Sequence, residues 1–169
     1  RDLLYLFRHT DILLSEKFRF TIVGSLDPHH PDRLIESDIA EFQEFGVDWI
    51  PWTDNIGEVY RNHDVLLFMS EREGGPRAVL EAALSGLPSI ASDVPGISNL
   101  VSHNQSGFLV SPGDYRSMYK FLLYYQKNFD IRVLHGQNAR HVCITSRTLS
   151  QATMSQLRMY KSILGSLNV

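Results

Sequence analysis

The chain has 169 residues, 43% of them hydrophobic and 21% charged, and 16 lysines and arginines against 19 aspartates and glutamates leave a net charge of −3. That size supports one globular domain with its own core, and the lack of a basic face argues against nucleic acid as a main partner. The single cysteine, Cys143, excludes a disulfide within the chain and suits a reducing compartment. No apolar run reaches the roughly 18–20 residues of a membrane span and no signal peptide opens the chain, so a cytoplasmic setting is expected.

In chain order, Asp2–Glu16 has apolar residues three and four apart and is predicted helical. Arg19–Gly24 (RFTIVG) is a short, turn-bounded apolar run and reads as a strand. Asp32–Gly46 begins with an aspartate cap signal after Pro31 and stops at a glycine, the marks of a helix. A strand over Val47–Trp52, a helix over Asp54–His63, a strand over Asp64–Ser70 and a helix over Pro76–Gly86 follow. Leu87–Ser92 and Gly107–Val110 read as strands, and helices over Gly113–Asn128 and Ser146–Leu164 close the chain. The strands are apolar enough to be mostly buried on both faces. Alternation of this kind predicts an α/β fold, a doubly wound and mostly parallel sheet flanked by helices. Such a sheet binds ligands at the carboxyl ends of its strands.

One stretch fits that rule closely. In EREGGPRAVLEAALSGLPSIASD, Glu71–Asp93, Ser70 would end a strand, Gly74 and Gly75 would form the strand-to-helix loop, and Pro76 would sit in the first helical turn. Glycine permits positive φ and close approach of a ligand. Free amides at a helix start suit phosphate. Arg77 in the first turn opposes the helix dipole, a penalty that a bound diphosphate would reverse, or it is a solvated surface residue. Glu81 lies inside an otherwise apolar helix. A buried carboxylate needs a partner, and a ribose or sugar diol offers two donors; otherwise Glu81 points to water or caps neighbouring amides.

The ordered set Glu73-Gly74, Leu80-Glu81-Ala82, Ala83, Gly86, Pro88, Ile90-Ala91, Gly96, Gly107, Leu109-Val110 and Pro112-Gly113-Asp114 resembles the donor-binding signature of the retaining, nucleotide-sugar-dependent glycosyltransferases of the GT-B fold. These are family four, the glycosyl transferases group 1. The likeness covers roughly residues 19–165. It implies that residues 1–169 form a single Rossmann-like domain, the C-terminal half of a GT-B enzyme, with a final helix at about 146–165. It implies transfer of a hexose from a UDP- or GDP-type nucleotide diphosphate sugar to a glycan or lipid-linked acceptor, in surface polysaccharide assembly. It assigns Glu73 to the transferred sugar as the catalytic residue and Glu81 to the ribose. It places the segment Gly74, Gly75, Arg77, Ala78, Val79 and Leu80 on the donor, with Trp52 and Thr53 beside the base. No metal and no cofactor is expected beyond the sugar nucleotide. Peripheral attachment of the whole enzyme to the inner membrane face is compatible with a lipid-linked acceptor.

Departures qualify the likeness. Relatives often carry an aromatic residue and a glycine where this chain has Gly75 and Pro76, and a glutamate where it has Asn99. The family's arginine and lysine, placed after the first strand of this domain, belong upstream of RDLLYLF, so the isolated chain is expected to be inactive. A glycoside hydrolase using Glu73 and Glu81, an epimerase-like GT-B domain and a non-catalytic nucleotide-binding module are the rival readings. His29 and His30 lack a zinc spacing and are expected in solvent, and Cys143 and Tyr119–Tyr125 are expected to pack in the core.

Overall fold

The computed structural model describes residues 2–9, 18–27, 29 and 33–146. Strands β1 (Thr21–Val23), β2 (Asp48–Ile50), β3 (Leu66–Phe68), β4 (Ser89–Ser92) and β5 (Gly107–Val110) each fall within a predicted run. Their pairings are parallel. β1 pairs with β2, Thr21 opposite Asp48, while β3, β4 and β5 form a separate sheet with Leu66 opposite Ser89 and Ile90 opposite Phe108.

Parallel strands require crossovers, and helices supply them. The helices are α1 (Asp2–His9), α2 (Glu36–Glu44), α3 (Ile56–Arg61), α4 (Arg77–Leu84), α5 (Pro95–Ser98), α6 (Tyr115–Lys127) and α7 (Phe129–Ser146), of which α2, α4 and α5 connect paired strands. Successive strand residues point to opposite faces, which separates two layers. Ile90 joins a core with Phe7 of α1, Phe42 of α2 and Met118, Leu122 and Tyr125 of α6. Its neighbour Ala91 packs instead with Val79 of α4 and Ile97 of α5. The first layer is aromatic: the Phe108 and Phe121 rings stack 4.0 Å apart, and Phe7 meets Phe20 edge-on at 4.9 Å. Each such buried side chain stabilises the fold by roughly 1.5–3 kcal/mol. Tyr125 and Cys143 are buried, as expected, although Tyr124 beside Tyr125 is exposed.

Several elements differ from expectation. β4 is buried on both faces, but β1, β2 and β3 are only half-buried, because the sheet is split and β1 and β3 border an open cleft. α2 starts four residues later than Asp32, which lies outside the described residues; the Asp38 carboxylate accepts a bond from the Ile35 amide at 2.9 Å and fixes that start. Only Asp2–His9 of the predicted first helix is described. α7 was not expected. Its apolar residues are spread around the helix, and it docks through Gly136, where a Cβ would stand 2.0 Å from the Gly86 carbonyl oxygen. The helix predicted at about 146–165 lies outside the described residues beyond Ser146. No helix among the described residues is long and apolar enough to cross a membrane.

Candidate functional site

Between β3 and α4 the chain runs over the carboxyl ends of the second sheet. The Ser70 amide donates to the buried Ser92 hydroxyl at the end of β4, at 3.0 Å, and the Ser70 hydroxyl donates to the Arg72 carbonyl at 2.9 Å. Beneath the loop lies Gly96 of α5. A Cβ there would stand 2.0 Å from the Glu73 carbonyl oxygen and 2.5 Å from its carbon, so only glycine allows the two backbones to meet.

Gly74 and Gly75 behave differently. Both are exposed, and neither has positive φ. A Cβ at either would meet nothing within 4 Å. The expected left-handed turn is therefore absent, because the loop is shaped by Ser70, Ser92 and Gly96 instead. What the two glycines leave is open space beside the helix start.

Pro76 is the residue before α4 rather than a member of its first turn. It is buried, and its carbonyl accepts from the Leu80 amide at 3.3 Å. Among the described residues the amides of Arg77, Ala78 and Val79 are then the unpaired donors of the helix end, and no side chain caps them. Arg77 is exposed beside them. The Val79 side chain packs in the core, and that of Leu80 packs against Ala83, Ala139 and Cys143. The Leu80 amide is already bonded within the helix, and its side chain faces α7.

Glu81 neither caps an amide nor stands free. It is half-buried and lines a cleft of about 1610 Å³ together with Thr53, Ala78 and Tyr60. The Tyr60 hydroxyl lies 3.3 Å from Glu81 Oε2 and 3.3 Å from the Ala78 carbonyl oxygen. Burial first, then the Glu81 charge, pushes the Tyr60 hydroxyl up to about 12, so it stays a donor at neutral pH. Sequence reasoning missed Tyr60, since an aromatic in an amphipathic helix reads as core. Glu73 is half-buried, and among the described residues no hydrogen bond holds its carboxylate.

The two base-side candidates separate. The Thr53 hydroxyl accepts from the Asn55 amide at 3.1 Å, and the Asn55 side chain caps α3 by accepting from the Glu58 amide at 3.3 Å. Thr53 lines the cleft, whereas Trp52 is 69% exposed and does not. His29 is exposed, with its amide bonded to Asp27, and His30 lies outside the described residues.

The model of the family described as Glycosyl transferases group 1 matches residues 1–128. The chain is 36% identical over 72 residues to the Escherichia coli UDP-Gal:alpha-D-GlcNAc-diphosphoundecaprenol alpha-1,3-galactosyltransferase, 43% of this chain and 19% of that protein. It is 26% identical over 157 residues to the Staphylococcus aureus capsular polysaccharide biosynthesis glycosyltransferase CapM, 90% of this chain and 40% of that protein. The crystal structure of Anabaena HepE in complex with UDP-glucose superposes with a TM-score of 0.76 at 18% identity, covering 92% of this chain and 46% of that one. The chain thus spans less than half the length of these proteins. By the family model matched along most of its length, on a parallel α/β fold shared with GT-B structures, the chain belongs to the glycosyl transferases group 1 family.

Proposed function

We infer that the chain is the donor-binding part of a retaining hexosyltransferase that moves a sugar from a nucleotide diphosphate to a glycan or lipid-linked acceptor in surface polysaccharide assembly. The observation that carries this is the Tyr60-held Glu81 on α4, a helix whose uncapped first turn directly follows the open Glu73–Gly75 loop after β3. Each group has a task. Glu73, with no hydrogen bond to its carboxylate from the described residues, accepts bonds from sugar hydroxyls. Glu81, with one oxygen beside Tyr60, takes the two ribose hydroxyls. The amides of Arg77, Ala78 and Val79 meet the diphosphate, whose charge rises as the sugar leaves, and preorganised donors stabilise that change. The names of the galactosyltransferase and CapM relatives support the lipid-linked acceptor and the polysaccharide setting, and the UDP-glucose complex of HepE supports the donor class. The 169 residues alone hold one side of such a site, so they bind nucleotide weakly and transfer nothing.

The test uses the complete enzyme. Glu81→Gln weakens UDP or GDP binding by about one to two decades, the loss of a charge-assisted bond worth roughly 1.5–3 kcal/mol. Glu73→Gln leaves nucleotide binding intact and cuts transfer by a similar factor. Normal binding and turnover in both variants would overturn the roles. Nucleotide binding without sugar transfer by the unmodified enzyme to any glycan or lipid-linked acceptor would favour a non-catalytic binding module.

A further inference from the structure

The pairing of β3 with β4 ends on a side chain. The Leu66 amide donates to the Pro88 carbonyl at 3.0 Å, and a parallel ladder repeats such a bond every second residue. With Phe68 opposite Ala91, the repeat would carry the Ser70 amide to the Ser92 carbonyl. That carbonyl accepts instead from the Val94 amide at 3.0 Å, at the turn into α5. The Ser70 amide donates to the Ser92 hydroxyl, also at 3.0 Å. A hydroxyl thus stands where the ladder would have its last backbone acceptor.

The replacement decides where the next residues go. The end of β4 is fixed from its far side, because the Asp93 amide donates to the Val110 carbonyl at 2.7 Å. Ser92 itself is 1% exposed. The Ser70 hydroxyl in turn donates to the Arg72 carbonyl at 2.9 Å, which tightens the turn, and Glu73 is the next residue. The Glu73 carbonyl meets Gly96. The Glu73 segment is therefore held at two points, and both lie on the short connection from Ser92 to Gly96. We propose that the Ser92 hydroxyl is a positioning residue for sugar transfer: by holding the Ser70 amide, it sets where the Glu73 carboxylate stands. This rests on the reading of Glu73 as the residue that holds the transferred sugar. Glu81 and the amides of α4 lie beyond the held segment, since Pro76 and Val79 anchor the start of that helix by their burial. Loss of the Ser92 hydroxyl therefore lowers turnover and spares nucleotide binding.

The test compares the complete enzyme with its Ser92→Ala variant. Turnover is read as nucleotide diphosphate released from the UDP- or GDP-hexose that the unmodified enzyme consumes, and binding by calorimetric titration with UDP and GDP. Ser92→Ala lowers kcat between about ten- and a hundredfold, the scale of a displacement on the order of 1 Å, while nucleotide affinity is unchanged. Hydrogen exchange of the Ser70 amide speeds many-fold, and that of the Asp93 amide does not. On a Glu73→Gln background the same substitution lowers kcat by a clearly smaller factor, because the charge it would displace is already gone. Equal losses on the two backgrounds overturn the proposal. So does unchanged kcat in Ser92→Ala, and so does a fall in nucleotide affinity that matches the fall in kcat. Should Ser92→Ala not fold, Ser92→Cys, close in volume and a weaker acceptor, takes its place in every comparison. Normal turnover in Glu73→Gln would sink the reading of Glu73 and this proposal together. Lowered turnover in Glu73→Gln beside normal turnover in Ser92→Ala would sink the proposal alone.

Discussion

Replacing Gly96 by alanine tests whether the Glu73 loop depends on the backbone beneath it. The added Cβ would stand 2.0 Å from the Glu73 carbonyl oxygen, while ordinary contact begins near 3.4 Å, so a separation of 3.4 − 2.0 = 1.4 Å must be made up. α5 is poorly placed to yield. Ile97, next to Gly96, is 0% exposed and packed against Val79 and Ala91. Glu71, Arg72, Gly74 and Gly75 are exposed, so the loop gives way and carries the Glu73 carboxylate with it. A shift on the order of 1 Å in a positioned group costs about a hundredfold in rate, whereas overpacking costs the fold about 1–3 kcal/mol. The assay is sugar transfer by the complete enzyme, read as kcat/KM, beside thermal unfolding of the same preparation. Gly57→Ala is the control, because a Cβ there first meets the flexible end of Arg61 at 3.4 Å. Unchanged kcat/KM in Gly96→Ala would refute the reasoning. Loss of the fold with wild-type kcat/KM in the surviving molecules would show that α5, not the loop, gives way.

Tyr60→Phe removes the donor beside Glu81 and, at roughly 0.5–1.5 kcal/mol for one hydrogen bond, weakens nucleotide binding about two- to twelvefold with little change in melting temperature; calorimetric titration with UDP and GDP measures it. Gly136→Ala drives a Cβ to 2.0 Å from the Gly86 carbonyl oxygen, and Gly86 is held at φ +81. The packing loss of about 1–3 kcal/mol outweighs the gain in helix propensity, and scanning calorimetry registers a fall of several degrees. Burial lowers the pKa of His135 below its usual 6.5, with a bond to the Asn104 carbonyl opposing the shift, and Nδ1 lies 2.9 Å from the Tyr125 hydroxyl. The unfolded chain therefore takes up a proton near pH 6.5 while the folded one stays neutral. The stability is whole above that pH and declines as pH falls below it, and urea midpoints between pH 7.5 and about 5 follow the slope, which His135→Gln flattens.

Strand positions were legible because five short apolar runs were each closed by turn residues, and β5 coincides with Gly107–Val110 to the residue. Their burial was not, since the half-exposure of Leu66–Phe68 comes from the open cleft between β1 and β3 rather than from its own side chains. Glu73 and Glu81 were legible from their place before and within a helix that follows a strand. Tyr60, Ser70 and Ser92 were not, because their roles arise from contacts 21 or 22 residues apart in the chain. Gly96 carried part of the family likeness, but only the structure shows that the reason is a carbonyl and not a side chain. α7 was not legible because its packed face is built of small residues, Gly136, Ala139 and Cys143, rather than large apolar ones.

The split sheet also bears on how the chain comes apart. The unit β1–α2–β2 shares no strand pairing with β3–β4–β5. Among the described residues it is tied in by the Phe7 contacts to Phe20, Phe42 and Phe45 and by the His63–Thr21 bridge. Side-chain contacts of that kind couple two blocks less tightly than a continuous ladder of backbone bonds. Unfolding of the 169 residues is then a sequence of two partly independent openings, with β1–α2–β2 released first. A melting curve fitted as a single transition would report a van't Hoff enthalpy below the calorimetric one, and the shortfall measures how far one half of the sheet ignores the other.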